Sequence, residues 1–162
     1  MKNGMISLPD GRAVEVRPCT TGDLEQILLL ERDCFGPDAW SREFIMQILP
    51  VGLFLGLFCG GEMAGYGVLT IRRGTLHIDN LAVKSAYRRM HLGSHLLEVM
   101  LWIGRKNSCQ DALLQVETNN RSALSLYEKF GFQKVRKLKH YYHRHGQPAG
   151  DAWEMGKVLD QD

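Results

Sequence analysis

"VGLFLGLFCGGEMAGYGVLTIRRGTLHIDNLAV" occupies residues 51–83, and its reading decides the fold. Three runs rich in apolar, aromatic and β-branched residues are split by "GGE" and "RRG". Both separators contain glycine, which suits tight turns, so the stretch predicts a three-stranded antiparallel meander. Beyond it the period changes. "LGSHLLEVMLWIGRK" (92–106) carries Leu92, Leu96, Leu97, Met100 and Leu101 at helical spacing, and "DALLQVE" (111–117) returns to a strand. A strand, a helix and a second strand in that order predict a right-handed crossover between parallel strands.

The flanks follow the same logic. "AVEVRPC" (13–19) predicts a strand, and "TTGDLEQILLLERDCF" (20–35) a helix whose Leu24, Ile27, Leu28 and Glu31 recur at helical spacing. "AWSREFIMQIL" (39–49) predicts a second helix with Ser41 as its cap. "NNRSALSLYEKFGF" (119–132) predicts another, stopped by Gly131. Two strands at about 133–142 and 151–159 flank a polar loop containing "GQPAG". The expectation is one α/β domain over 1–162, a mostly antiparallel sheet of about seven strands with helices on both faces.

Bulk properties narrow the function classes. The 162 residues are 44% hydrophobic and 23% charged, with a formal net charge of +2. Acids are interspersed among the bases, which argues against a nucleic-acid partner. The densest basic stretch, "KVRKLKHYYHRH" (134–145), favours a solvated final hairpin over a site for an acidic polymer. Cys19, Cys34, Cys59 and Cys109 form no C-x-x-C pair and no histidines stand at zinc-like spacing. They read as free, mostly buried thiols in a reducing compartment, with no metal expected. The longest apolar run, "ILPVGLFLGLFCGG" (48–61), is too short and glycine-rich to span a membrane, and no signal-peptide pattern opens the chain. A cytoplasmic location without membrane attachment is expected.

One turn carries chemistry. In "NLAVKSAYRRMHLGSHLL" (80–97) a strand leads into a helix whose first amides, about 89–94, offer donors and a positive dipole end to an anion. Arg88 and Arg89 flank it, Gly93 permits close approach and Ser94 adds a hydroxyl. Any strand-to-helix turn has a free N-terminus, so this alone decides little.

Together with "VETNNRSALSLYEKFGF" (116–132), the turn resembles the signatures of the GNAT superfamily of acetyl-CoA-dependent N-acetyltransferases. The turn signature, Arg/Gln-x-x-Gly-x-Gly/Ala, here reads Arg88-Arg89-Met90-His91-Leu92-Gly93. The resemblance implies that this turn, His91 and Leu92 included, holds the pyrophosphate of coenzyme A. It implies too that the backbone of Leu81, Ala82 and Val83 pairs with the pantetheine arm. Asn120 would contact the cofactor, and Tyr127 would lie near its sulfur as the acid that protonates the leaving thiolate. Packing of Tyr127 on the sheet is the alternative. His91 replaces the first glycine, which requires either negative φ or a histidine in the left-handed region.

"ERDCFGPDAWS" (31–41) and "HYYHRHGQPAGDAWEMG" (140–156) resemble the RimI-type enzymes, which acetylate protein N-termini, and the resemblance spans about residues 13–158. It implies a protein or peptide N-terminus as acceptor, held between Phe35 and Trp40 on one side and Tyr141 and Tyr142 on the other. For Phe35 and Trp40 the equal alternative is a staple between the first two helices. A small amine as acceptor and a degenerate CoA-binding domain are the competing functions, and monomer and homodimer stand open. In RimI-type enzymes a glutamate twelve residues before the tyrosine takes the acceptor's proton; here it is Gln115, which cannot. His77 is the favoured substitute, with Asp79 two residues on, on the same face, to orient or charge-stabilise it. Glu117, on the face of Gln115, is another candidate base; the alternatives are that no residue serves as a dedicated base and that His77 is an exposed strand histidine paired with Asp79.

Overall fold

In the computed structural model, which describes residues 4–142 and 150–160, the predicted meander is present as three strands: β3 (Leu53–Cys59), β4 (Glu62–Arg72) and β5 (Thr75–Val83). Gly60 and Gly61 make the first turn at φ 58° and 87°, the left-handed region that glycine enters without steric penalty. The remaining elements are β1 (Met5–Ser7), β2 (Ala13–Pro18), α1 (Leu24–Phe35), α2 (Arg42–Ile48), α3 (Leu92–Lys106), β6 (Asp111–Glu117), α4 (Arg121–Lys129), β7 (Gln133–Tyr142) and β8 (Gly150–Val158). The strands form one sheet in the order β1-β2-β3-β4-β5-β6-β8-β7. The eighth strand, beyond the seven expected, is β1, whose three residues are too few to show an alternating pattern. The loop 143–149 lies outside the described residues, as does the side chain of Tyr142.

The chain divides into two compact units, Met1–Leu69 with Asn80–Glu98, and Thr70–Asp79 with Val99–Asp162. In the first, β1 and β2, β2 and β3, and β3 and β4 pair antiparallel. Its core gathers Ile27, Leu28 and Leu30 of α1 with Ile45 of α2 and Phe54, Phe58, Met63, Tyr66 and Val68 of the strands. Ser41 caps α2, its Oγ accepting from the Phe44 N–H at 3.1 Å. β4 and the end of β5 approach closely at Gly65. A Cβ there would stand 2.7 Å from the Ala82 carbonyl oxygen, so only glycine fits.

In the second unit, β5 and β6 run parallel from Thr75↔Asp111 to Ile78↔Leu114, as the predicted crossover requires. The Thr75 hydroxyl donates to Asp111 at 2.7 Å across that pair. β8 pairs antiparallel with both β6 and β7. Leu76, Ile78, Met100, Leu101, Ala112, Leu114, Val116, Phe132 and Met155 are all buried here.

None of the four cysteines is in a disulfide. Cys109 alone is buried and the other three are half-buried, fewer buried than composition suggested. Among the described residues, no helix is long and apolar enough to cross a membrane.

The turn before α3 settles the fit of His91. Its φ is 61° and that of Arg89 is 64°, so both occupy the left-handed region. The histidine therefore adopts the conformation a glycine would take, at a steric penalty of roughly 1–2 kcal/mol. Part of that is offset because glycine is freer in the unfolded chain. His91→Gly should raise stability by roughly 0.5–1 kcal/mol, read as a higher urea midpoint with unchanged slope. An equal or lower midpoint would show that His91 is held there by favourable contacts.

Candidate active site

The segment from Leu81 to Ser94 is continuous with the strand it leaves. Lys84 N–H donates to the Ala64 carbonyl at 2.8 Å, extending the pairing of β5 by one residue. A 3-10 turn, Ser85–Tyr87, follows. Tyr87 is buried, and its hydroxyl donates to Glu62 at 3.0 Å, while Lys84 forms an ion pair with the same carboxylate. Arg88 folds back over the turn, its Nε donating to the Val83 carbonyl at 3.3 Å and its Nη2 3.8 Å from Cys34 Sγ. The Cys34 thiol itself donates to the Val83 carbonyl at 3.5 Å. Arg88 thus ties the two predicted cofactor segments together, with Arg89 and His91 exposed beside it. The His91 carbonyl accepts from His95 N–H at 3.1 Å, so α3 starts at Leu92. Leu92 is buried under the turn, and Gly93 and Ser94 are half-buried in the helix's first turn.

A buried carboxylate in the same unit went unassigned from sequence. Glu31 of α1 is 1% exposed, among the apolar residues of its helix. It accepts from the Trp40 N–H at 2.8 Å, from the Tyr66 hydroxyl and from Asn80 Nδ2. Asn80 Nδ2 also donates to the Tyr66 oxygen at 3.1 Å, and its Oδ1 accepts from the Leu81 N–H at 2.9 Å. The signal was present: a glutamate on the apolar stripe of α1 has to find donors. Phe35 and Trp40 are half-buried and pack against this unit's core, and Trp40 meets Phe44 edge-on at 5.1 Å. That packing favours the stapling role for both.

In the second unit, the register of β5 on β6 aligns Thr75 and His77 with Asp111 and Leu113, and alternation along β5 puts Asp79 on the side of His77. The alternation along β6 puts Asp111, Leu113, Gln115 and Glu117 on its half-exposed side. His77, Asp79, Gln115 and Glu117 therefore share one face. Burial and Arg72 push the His77 imidazole below its usual 6.5, against the upward pull of Asp79, Asp111 and Glu154. Asp79 is exposed, yet local crowding raises its carboxyl above the usual range despite a 2.9 Å hydrogen bond from the Thr70 hydroxyl. Asp79 thus acts on His77 through charge, and its hydrogen bond goes to Thr70.

Glu154 of β8, paired across from Gln115, was also missed. Gln115 Nε2 donates to Glu154 Oε2 at 3.2 Å and Arg136 Nε donates to Oε1 at 3.1 Å. Strand alternation in "DAWEMG" separates Glu154 from Trp153 and Met155, which is the signal that places it on the Gln115 face. Tyr141 is 45% exposed, and burial, Asp79 and Glu154 all raise its phenol. Asn120 caps α4, its Oδ1 accepting from Ala123 N–H at 3.2 Å. About two turns on, Tyr127 is buried edge-on to Phe132 at 5.8 Å.

Against known proteins, the model of the acetyltransferase (GNAT) family matches residues 23–132. N-alpha-acetyltransferase 50 of Danio rerio is 30% identical over 153 residues, covering 90% of this chain and 89% of that protein. N-alpha-acetyltransferase 30 of Xenopus laevis is 41% identical over 122 residues, 70% of this chain and 44% of that one. In three dimensions, the ribosomal-protein-S18-alanine N-acetyltransferase from Escherichia coli superposes with a TM-score of 0.84. It is 24% identical, covering 92% of this chain and 96% of that one.

Glu31 sets a test of its own. Burial pushes its carboxyl from 4.5 up to about 7, outweighing the hydrogen bonds from Trp40 and Asn80. Between those values the folded chain binds more protons than the unfolded one. The contribution to stability is therefore full below about pH 4.5 and is lost as pH rises through about 7. Wild type should lose about 3 kcal/mol from this group over that window, and Glu31→Gln should remove the dependence. Urea unfolding of both proteins across the window checks it, and parallel curves would contradict it.

Proposed function

Because the chain belongs to the acetyltransferase (GNAT) family, we propose that it transfers the acetyl group of acetyl-CoA to the N-terminal α-amine of a protein or peptide. The likeness to two N-alpha-acetyltransferases and to the S18-alanine enzyme supports that acceptor. The single observation that carries the reading is the strand face of His77, Asp79, Gln115, Glu117 and Glu154, which offers both a neutral imidazole and negative charge to an ammonium. We take residues 1–162 to act as one N-acetyltransferase domain in the cytoplasm, as a monomer or homodimer.

The residues present fit the cofactor. The first amides of α3 have no partner inside the helix, and Arg88 and Arg89 add charge beside them. Positive φ at Arg89 and His91 turns the backbone of this segment as glycines would. Arg88, Arg89, His91, Leu92, Gly93 and Ser94 would hold the pyrophosphate, Leu81, Ala82 and Val83 the pantetheine arm, and Asn120 a further contact. Acetyl-CoA supplies the acetyl group as an activated thioester.

The chain's own residues manage the protons. His77 is neutral at physiological pH because its proton affinity is depressed, so Nδ1 or Nε2 can accept the proton that the acceptor's ammonium must lose. Asp79 stabilises the imidazolium that results; Glu117, on the same face, is the alternative base. Tyr127 holds a proton at Oη for the departing sulfur. Tyr141, and by the resemblance Tyr142, would flank the acceptor chain.

An acceptor screen with acetyl-CoA, set with free peptide N-termini against polyamines, aminoglycosides and amino acids, tests the function. Acetylation of peptides alone is expected, and small-amine turnover without peptide turnover would replace the reading. Tyr127→Phe should lower kcat by about 10² or more while leaving the KM for acetyl-CoA within a few-fold; wild-type turnover would remove its acid role. In wild type the rate should fall with acid through a midpoint below 6.5, and His77→Ala should abolish that limb. An unchanged profile in the variant would reassign the base.

A further inference from the structure

Gln115 leaves the acceptor face without the strand carboxylate that the RimI-type pattern places there, and the structure holds a carboxylate one strand away. Glu154 sits directly across from Gln115, on β8. Neighbouring strands lie about 4.8 Å apart, so the charge is displaced by little more than the length of a side chain. Both of its oxygens are fixed, one by the Gln115 amide and one by Arg136. Glu154's side chain is 14% exposed, whereas that of Arg136 is 65% exposed.

This arrangement is more than a surface ion pair. Each carboxylate oxygen can accept more than one hydrogen bond, so the bonds from Gln115 and Arg136 leave capacity for a further N–H donor. An exposed arginine holds a carboxylate weakly against a competing cation, because water screens the pair. The charge on Glu154 acts on His77 and on Tyr141 of the same unit, which are the groups assigned to the acceptor.

We propose that Glu154 is the residue that receives the acceptor's ammonium, standing in from β8 for the glutamate that position 115 of β6 lacks. Gln115 is then a positioning residue, an amide donor that aims the transplanted carboxylate. The ligand this site takes is a primary ammonium at the end of an extended chain. A chain whose terminus is already acylated presents no cation and is refused. The proposal rests on the acceptor reading above.

The test compares Glu154→Gln, Glu154→Asp and the swap Gln115→Glu/Glu154→Gln in the full chain, with acetyl-CoA and a peptide that wild type acetylates. Glu154→Gln should raise the peptide KM about tenfold or more, with the KM for acetyl-CoA unchanged. Glu154→Asp should lose less, and the swap should restore most of the affinity by returning the charge to β6. A wild-type peptide KM in Glu154→Gln, or a folded swap that restores nothing, overturns the proposal. A second readout needs no acceptor: the His77 imidazole, followed by NMR and assigned by its loss in His77→Ala. His77 faces Arg72, Asp79, Asp111 and Glu154. Removing the last charge should lower its titration midpoint, and an unmoved midpoint overturns the proposal whatever the acceptor. Wild-type inactivity towards every peptide overturns the function instead.

Discussion

The carboxyl of Glu31 cannot be buried without donors, and meeting that demand fixes four segments of the chain at once. A carboxyl in an apolar interior without hydrogen bonds loses several kcal/mol of hydration, about 2–7 for even a neutral polar group. Here α1 brings the acceptor, β4 the Tyr66 hydroxyl, β5 the Asn80 amide, and the segment before α2 the Trp40 backbone N–H. Asn80 then passes the constraint along by accepting from Leu81 N–H, the first residue of the strand end assigned to the cofactor. The stacked rings of Phe54 and Tyr66, 6.1 Å apart, hold the hydroxyl in place from the apolar side. A polar knot inside a hydrophobic cluster specifies one arrangement of its members, where apolar packing alone would tolerate several.

The parts of this structure legible in the sequence are those written in local periodicity. The meander, the crossover helix and the capped helices each show their pattern within about a dozen residues, and so emerged with their bounds nearly right. The two signatures around Arg88 and Asn120 were legible for a similar reason: both are short and contiguous. What stayed hidden depends on pairing between distant segments. Glu31 and Asn80 are 49 residues apart, and Gln115 and Glu154 are 39 apart. No window of sequence contains either pair, and register across a sheet is set by tertiary packing. The stapling of Phe35 and Trp40 was weighed from sequence, but only their packing on the core could favour it.

Two departures from the family pattern have different physical resolutions. At His91 the backbone keeps the left-handed geometry, and the side chain tolerates it. The departure is absorbed locally, as conformational strain. At Gln115 the charge is lost from that position of β6, and Glu154 of the neighbouring strand carries one beside it. That departure is absorbed across the sheet. The distinction matters for reading such motifs: a backbone requirement can only be met at its own position, whereas a charge can be supplied from any strand that reaches the same face.

Cys34 has a consequence for the chemistry of a thioester enzyme. Its sulfur lies against the Val83 carbonyl and Arg88, in the segment assigned to the cofactor. Burial raises this thiol's pKa, outweighing the opposing pull of Arg88. Cys19 is pushed up to about 12 by the same cause. The thiolate, not the thiol, is the nucleophile towards an acyl group. A raised thiol pKa leaves less thiolate at Cys34, beside the segment assigned to the cofactor, and so less of a rival to the amine for the acetyl group.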